Sequence, residues 1–226
     1  WRMKLQIRDL SKQFDGRPVL DHVSMELESG HIYCLMAPSG KGKTTLFRIL
    51  MGLESADGGQ ILTEWEAGDG REFAGRTDGT RLAAGAETVW NRGKAALCGI
   101  RIAAVFQEDR LCESFSAVDN VLMTAPASMG RAEAHRELLE LLPEEVLNRP
   151  VSSLSGGQKR RVAICRALCA PSDLLILDEP FTGLDAGTKA EVVRYLQKKS
   201  AGKLTLLSTH QEEDIVALNG ISMTLP

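Results

Sequence analysis

No run in this 226-residue sequence approaches the roughly 18 to 20 consecutive apolar residues that a membrane-crossing helix needs. If the chain serves a membrane process, other chains must supply the spans. A basic excess is lacking too. With 27 Lys and Arg against 30 Asp and Glu, and a pI near 5.9, bulk charge offers no pull towards polyanions, so no nucleic-acid partner is expected. There is no CxxC pair, and the five cysteines (Cys34, Cys98, Cys112, Cys165, Cys169) leave one over from any complete pairing. Cys165 and Cys169 lie one helical turn apart, a spacing a metal could use. Small buried thiols in a reducing compartment are the plainer expectation for the set. Internal repeats and low-complexity tails are missing. The opening Trp1-Arg2-Met3-Lys4-Leu5 lacks the apolar core of a secretory signal, and Met3 is a candidate start.

What is present is ordinary globular composition, 43% hydrophobic and 25% charged, in a length that suits one large domain or a domain plus a small lobe. Met3 to Phe14 alternates as a strand does, and Val19 to Leu27 repeats the theme after Asp15-Gly16, which predicts a small antiparallel sheet. His31 to Met36, Ile100 to Phe106, Leu174 to Leu177 and Leu204 to Leu207 are short apolar runs of buried-strand type, and Ile221 to Leu225 reads as a last strand. Helical spacing follows at Leu46 to Leu50, Arg131 to Leu142 (stopped by Pro143), Val162 to Ala167, Lys189 to Lys199 and Glu212 to Leu218. Strands alternating with helices predict a largely parallel α/β sheet. The glycine-rich stretch from about 64 to 99 carries little periodicity and reads as loop with short strands.

Three segments carry chemistry. Ala37-Pro38-Ser39-Gly40-Lys41-Gly42-Lys43-Thr44, followed by Thr45, fits the phosphate loop G-x-x-x-x-G-K-[ST], with Ala37 in place of the first glycine. Wrapping backbone N–H groups around phosphates requires Gly40 and Gly42, and Ala37 is tolerable where φ is negative. Lys43 supplies a point charge to the terminal phosphates, and Thr44 can ligate Mg²⁺. Next, the apolar run Leu174 to Leu177 delivers Asp178, a candidate Mg²⁺ holder, and Glu179, a candidate general base. Two acids after a strand are commonplace alone, but gain weight behind a phosphate loop. Third, Leu154-Ser155-Gly156-Gly157-Gln158 places two glycines before a helix, a second anion site of hydroxyl and backbone N–H groups. Two γ-phosphate sites on one chain make sense when each faces its counterpart across a head-to-tail pair.

With those motifs in this order, the chain resembles the nucleotide-binding domain of the ABC family over essentially its whole length, about residues 3 to 225. The resemblance implies a P-loop NTPase (RecA-like) α/β core, with an N-terminal antiparallel β subdomain and an inserted helical subdomain. The division expected is one domain, 3–226, with core at about 3–107 and 166–226 and helical lobe at about 108–165. It also implies ATP and Mg²⁺ as ligands. Phe14 would stack on adenine, and Gln107 would sense Mg²⁺ and the attacking water. Asp185, in Gly183-Leu184-Asp185, would communicate between sites, and His210 would contact the γ-phosphate.

On this reading Lys43, Gln107, Glu179 and His210 carry catalysis, and Thr44, Gln107 and Asp178 hold the metal. The nucleotide is held by Phe14, residues 37 to 45, Ser155 to Gln158 and Asp185. The implied partners are a second copy or homologous ABC subunit, transmembrane permease subunits at the cytoplasmic face of the membrane and, through them, a solute-binding protein. The run from Val105 to Asn120 is similar to that of the nitrate/sulfonate/taurine importers, which favours import. The chain ends soon after His210, so the C-terminal regulatory domain of some importer ATPases is not expected. Two rival readings are a soluble ABC ATPase outside transport and an inactive nucleotide-binding module. The first would bring a second cassette or long coiled coils, and Lys43, Asp178, Glu179 and His210 speak against the second. The charge run Lys159-Arg160-Arg161 is expected to be a solvated helix face.

Overall fold

The computed structural model describes residues 2–38, 40–66, the backbone of 88–90, and 100–225. Two sheets organise the described residues. The first is four-stranded and antiparallel, in the order β2 (Arg17–Glu28), β1 (Arg2–Phe14), β4 (Gly58–Glu66), β5 (Thr88–Trp90). It bears out the antiparallel sheet expected from the alternating N-terminal segments. Most of the glycine-rich stretch, 67–87 and 91–99, and with it Cys98, lies outside the described residues.

The second sheet is five-stranded and wholly parallel: β6 (Ile102–Val105), β7 (Leu174–Leu177), β8 (Leu204–Ser208), β3 (Ile32–Met36) and β9 (Ile221–Thr224). Its central strands β7, β8 and β3 are nearly continuous apolar runs because both faces are covered, whereas the edge strand β9 is largely exposed. Successive side chains point to opposite faces. Leu174 and Ile176 therefore join a core with β1, β2 and helix α1 (Lys43–Leu50), whereas Leu175 and Leu177 join the core of the remaining helices.

Those helices are α2 (Ala117–Leu122), α3 (Arg131–Leu139), α4 (Glu144–Leu147), α5 (Gly156–Cys169), α6 (Ala186–Lys199) and α7 (Glu212–Leu218). Helix α2 starts at a reciprocal cap, in which the Ser116 hydroxyl accepts from Asp119 N–H and the Asp119 carboxylate accepts from Ser116 N–H. Asn120, fully buried, pins the preceding loop by accepting from Cys112 N–H at 2.9 Å and donating to Cys112 C=O at 3.1 Å. Helix α3 is shorter than its sequence pattern, giving way to a turn at Glu140 before Pro143.

Polar ties hold α3 to α6. Lys199 Nζ lies 2.5 Å from Glu137 Oε1, Tyr195 donates to Glu137 Oε2 at 2.7 Å, and Lys198 pairs with Glu140 at 2.8 Å. The Tyr195 hydroxyl also lies 3.5 Å from the sulfurs of Cys165 and Cys169, themselves 3.9 Å apart. Cys34, Cys165 and Cys169 are buried as expected, but Cys112 is exposed on the loop before α2. Among the described residues no group of three or more His, Cys, Asp or Glu side chains is placed to hold a metal, at the Cys165–Cys169 step or elsewhere.

Two predictions follow from this packing. Gly59 has φ +92°, and a Cβ there would lie 2.6 Å from Asp9 O and from Leu10 Cα. Gly59→Ala should cost about 1–3 kcal/mol in urea unfolding, combining left-handed strain with overpacking of β1 on β4. The second concerns Glu137. Burial alone would raise its carboxyl, but hydrogen bonds from Lys199 and Tyr195 outweigh it and hold it below the usual value of 4.5. A depressed carboxyl stabilises the fold above its unfolded pKa, and that contribution disappears as pH falls through the folded value. Stability should therefore drop below about pH 4.5, and Glu137→Gln should flatten that slope. Equal slopes in denaturation at stepped pH would show that the tie contributes nothing.

Candidate functional site

The parallel sheet gathers the candidate residues by register. Val105, Leu177, Leu207 and Cys34 sit side by side across β6, β7, β8 and β3. The segments that leave those strands carry Gln107, Asp178 and Glu179, His210, and the loop from Ala37 to Thr44. Open α/β sheets bind ligands outside the carboxyl ends of their strands.

The phosphate-type loop runs from β3 into α1. Gly40 and Gly42 have φ +81° and +85°, and Ala37 is not among the residues of positive φ, as its side chain requires. Gly42 could be nothing larger, because a Cβ there would lie 2.6 Å from Val19 O. Lys43 is buried, and its ammonium donates to Ala37 C=O and, at 3.3 Å, to Pro38 C=O. No carboxylate neutralises it among the described residues. A buried cation held only by loop carbonyls, at the start of an eight-residue helix, suits an anionic ligand. Lys41 N–H donates to Pro38 C=O at 3.3 Å, closing the loop, and Thr45 is half-buried in the first turn of α1. Ser39 lies outside the described residues.

Thr44 donates to Asp178 Oδ2 at 2.8 Å, and the other carboxylate oxygen, Oδ1, accepts from Ser208 at 2.6 Å. A hydroxyl and a carboxylate brought together this way form an oxygen donor set that suits Mg²⁺. Thr44, Gln107 and Asp178, with Phe106, Arg48 and Arg110, line a single cleft of about 180 Å³. The Arg110 guanidinium lies 4.1 Å over the Phe106 ring.

Glu179 is in a left-handed conformation, φ +49°, an uncommon state for a residue with a side chain. Its N–H is held by Ser208 Oγ at 2.8 Å. One carboxylate oxygen lies 3.0 Å from His210 Nε2, and the other accepts from Thr182 at 3.3 Å. His210 stands just past a buried Thr209 whose hydroxyl donates to Asp214, which in turn pairs with Lys189. Glu179, Thr182, Gly183, Ser208 and His210 line a second cleft of about 320 Å³.

Other expected residues lie apart. Ser155 is exposed and caps α5, accepting from Gln158 N–H at 3.3 Å, while Gln158 Oε1 accepts from Ser155 N–H at 2.9 Å. Gly156 and Gly157 form the first turn of α5 rather than preceding it. No hydrogen bond or ion pair among the described residues joins Ser155–Gln158 to the Ala37–Thr44 loop. Asp185 caps α6, accepting from Thr188 N–H at 3.0 Å and Thr188 Oγ1 at 2.7 Å, bonds that hold its carboxyl below the usual range. Phe14, 43% exposed at the end of β1, lies under the Lys12 ammonium at 5.0 Å.

Two residues of the site were not picked out from the sequence. Ser208 bridges Asp178 and Glu179, yet a serine ending an apolar strand carries no signal of its own. The second is a correction. Arg160, expected on a solvated face, is 4% exposed and bonded to the backbone beside Gln107 and Glu179. Its neighbours behave differently: Lys159 reaches the exposed Glu113 at 3.0 Å, and Arg161 donates to Leu141 C=O at 2.5 Å. Successive helical residues are turned by about 100°, so three in a row cannot share one face. The signal was available, since Arg160 is three, four and seven positions from the apolar Ala163, Ile164 and Ala167.

The family model described as ABC transporter matches residues 20–182. This chain belongs to the ABC transporter family. It is 35% identical over 227 residues to the sulfate/thiosulfate import ATP-binding protein CysA of Xanthomonas campestris pv. campestris, covering 96% of this chain and 59% of that protein. It is 34% identical to CysA 1 of Agrobacterium fabrum at the same coverage, so the chain spans about 59% of the length of these curated relatives. Among solved structures, the dimeric post-hydrolysis state of the ATP-binding cassette MJ0796 bound to ADP and Pi superposes with TM-score 0.72 at 23% identity, covering 98% of this chain and 94% of that one. A bacterial Atm1-family ABC exporter with ATP bound gives 0.75 at 20% identity, covering 100% and 37%. At those identities the likeness is one of fold. The fold is that of an ABC cassette, a P-loop NTPase core carrying an antiparallel β sheet and helices.

Ser208→Ala would strand a buried Asp178 oxygen and the Glu179 N–H together. It should cost about 1–3 kcal/mol of stability, read by urea unfolding, whereas an exposed serine such as Ser152 should tolerate alanine within about 0.5 kcal/mol.

Proposed function

We propose that this chain is the ATP-binding and ATP-hydrolysing subunit of an ABC importer, working as a head-to-tail pair beneath separate transmembrane subunits. The observation that carries this reading is the convergence at one sheet edge of an uncompensated buried Lys43, the Thr44–Asp178 pair and the Glu179–His210 pair. ATP is the substrate, with adenine against Phe14 and phosphates in the loop 37–45. Thr44, Asp178 and Gln107 would hold Mg²⁺, which would supply neutralising charge on the phosphates. Glu179 polarises the attacking water, and the His210 imidazole fixes the carboxylate and contacts the γ-phosphate.

Ser155 to Gln158 serve the nucleotide of the other copy. Their exposure at the N-terminus of α5 supports this, since a helix N-terminus facing outward offers N–H groups to an anion across an interface. Asp185, at the start of α6, links the two sites. Closure of the pair on two ATP molecules and opening after hydrolysis would drive the permease. The loop and α2 segment from Glu108 to Asn120 is the surface offered to it, and exposed Phe115 there (48%), with Met123 beyond it (48%), supports an apolar contact.

We retain the division into a core and a helical lobe at 108–165. Strand β6 ends at Val105, the parallel sheet resumes at Leu174, and helices dominate between them, with α5 running through the boundary as a shared element. Among the described residues no helix is long and apolar enough to cross a membrane. We place the chain at the cytoplasmic face, as a peripheral subunit. Both the named relatives and the likeness of Val105 to Asn120 favour import, and the cargo is chosen by the membrane subunits and their solute-binding protein.

Glu179→Gln decides the reading. Turnover of ATP should fall by about 10² to 10⁴, and sizing should show a dimer that persists only with ATP. Hydrolysis by the variant at the wild-type rate would remove Glu179 as the base.

A further inference from the structure

Buried arginine is rare unless its donors are met, and the Arg160 guanidinium is met almost entirely by backbone. On one side Nη1 donates to Phe106 C=O at 2.5 Å, Gln107 C=O at 3.4 Å and Asp109 Oδ1 at 3.1 Å. On the other, Nη2 donates to Asp178 C=O at 2.8 Å and Glu179 C=O at 2.6 Å, and Nε to Pro180 C=O at 3.2 Å. We propose that Arg160 is a positioning residue, which staples the segment bearing Gln107 to the segment bearing Asp178 and Glu179 and ties both to the helix that begins at Ser155. This inference rests on the ATPase reading and adds to it a connection within one subunit.

The geometry argues for positioning over simple core filling. Three of the five carbonyls that Arg160 takes belong to Gln107, Asp178 and Glu179 themselves, and the other two, of Phe106 and Pro180, are their chain neighbours, so the bonds restrain the backbone from which candidate catalytic or metal-holding side chains depart. Glu179 is left-handed at φ +49°, a conformation that persists only where surrounding bonds over-determine it. Its N–H is fixed by Ser208 and its C=O by Arg160, so the two together hold the strained residue from both sides. A planar fork with five N–H donors can span two segments, whereas an ammonium is a point donor. Since Ser155 caps α5 and Arg160 lies in its second turn, a displacement of Ser155 by a partner copy would be carried by rigid helix to the Glu179 backbone.

The test compares Arg160→Lys and Arg160→Gln with the wild-type chain. Both should lower kcat for ATP by about 10- to 100-fold through misplacement of the reacting groups. KM for ATP should stay within about twofold, because the phosphate loop is untouched. Amide hydrogen exchange, which needs no turnover, should be faster in both variants across 106–110 and 178–182. Full kcat in Arg160→Lys would mean that a buried positive charge suffices, and overturns the proposal. So would unchanged exchange in both segments, or a loss of kcat that only follows loss of folded protein. A wild-type chain that hydrolyses no ATP would instead count against the ATPase reading, and exchange would still decide the role of Arg160.

Discussion

The site depends on the register of four parallel strands. Because Val105, Leu177, Leu207 and Cys34 stand in line, the segments that follow them leave the sheet at one level. A slip of one residue in any strand would turn its apolar side chains to the wrong face and carry its polar terminus out of reach. The register is enforced from both sides, since Leu174 and Ile176 pack towards α1 and the β subdomain while Leu175 and Leu177 pack towards α5 and α6. The chemistry at the edge is thus positioned by hydrocarbon packing below it.

Above that frame, peptide carbonyls do much of the electrostatic work. Lys43 and Arg160 are both buried, and their donors are met chiefly by main-chain oxygens, with Asp109 the carboxylate beside Arg160. Dipoles can satisfy a cation without cancelling its charge, so Lys43 keeps its attraction for an anion, and Arg160 fixes backbone direction without competing for the carboxylates of Asp178 or Glu179. Those carboxylates are left to hydroxyls and an imidazole, from Thr44, Ser208, Thr182 and His210. Such partners are weaker than an ion pair and easier to exchange.

Much of the fold could be read from short apolar runs. Leu174 to Leu177 and Glu212 to Leu218 form elements with the expected limits, the first because it is short and buried on both faces, the second because an acidic first turn and left-handed Asn219 bound it. The loop motif and Leu154 to Gln158 were legible because their residue types are rare in that order, and the paired acids, commonplace alone, were legible only by following the loop motif. Sheet order was not, since nothing local tells β3 to lie between β8 and β9. Nor was the left-handed backbone of Glu179, which tertiary bonds impose against intrinsic preference. Arg160 was misread because a charge run was taken as one surface, although a helix distributes neighbours around its axis. Cys112 was misread in the opposite sense: an apolar preference gave way to its place on a loop.

The place of β3 between β8 and β9 has a consequence for biogenesis. Ile32 finds Thr205 and Tyr33 finds Ile221, so the strand that launches the phosphate loop has no strand neighbour until about 170 further residues have been synthesised. At roughly 5 to 20 residues per second, that delay is on the order of ten seconds or more. During it, a short apolar strand with two open edges must be shielded by the nascent antiparallel sheet or by a chaperone. Contacts so distant in sequence also slow the final closure. A cell making this protein quickly therefore meets its aggregation hazard at β3 and its remedy only when β8 and β9 emerge.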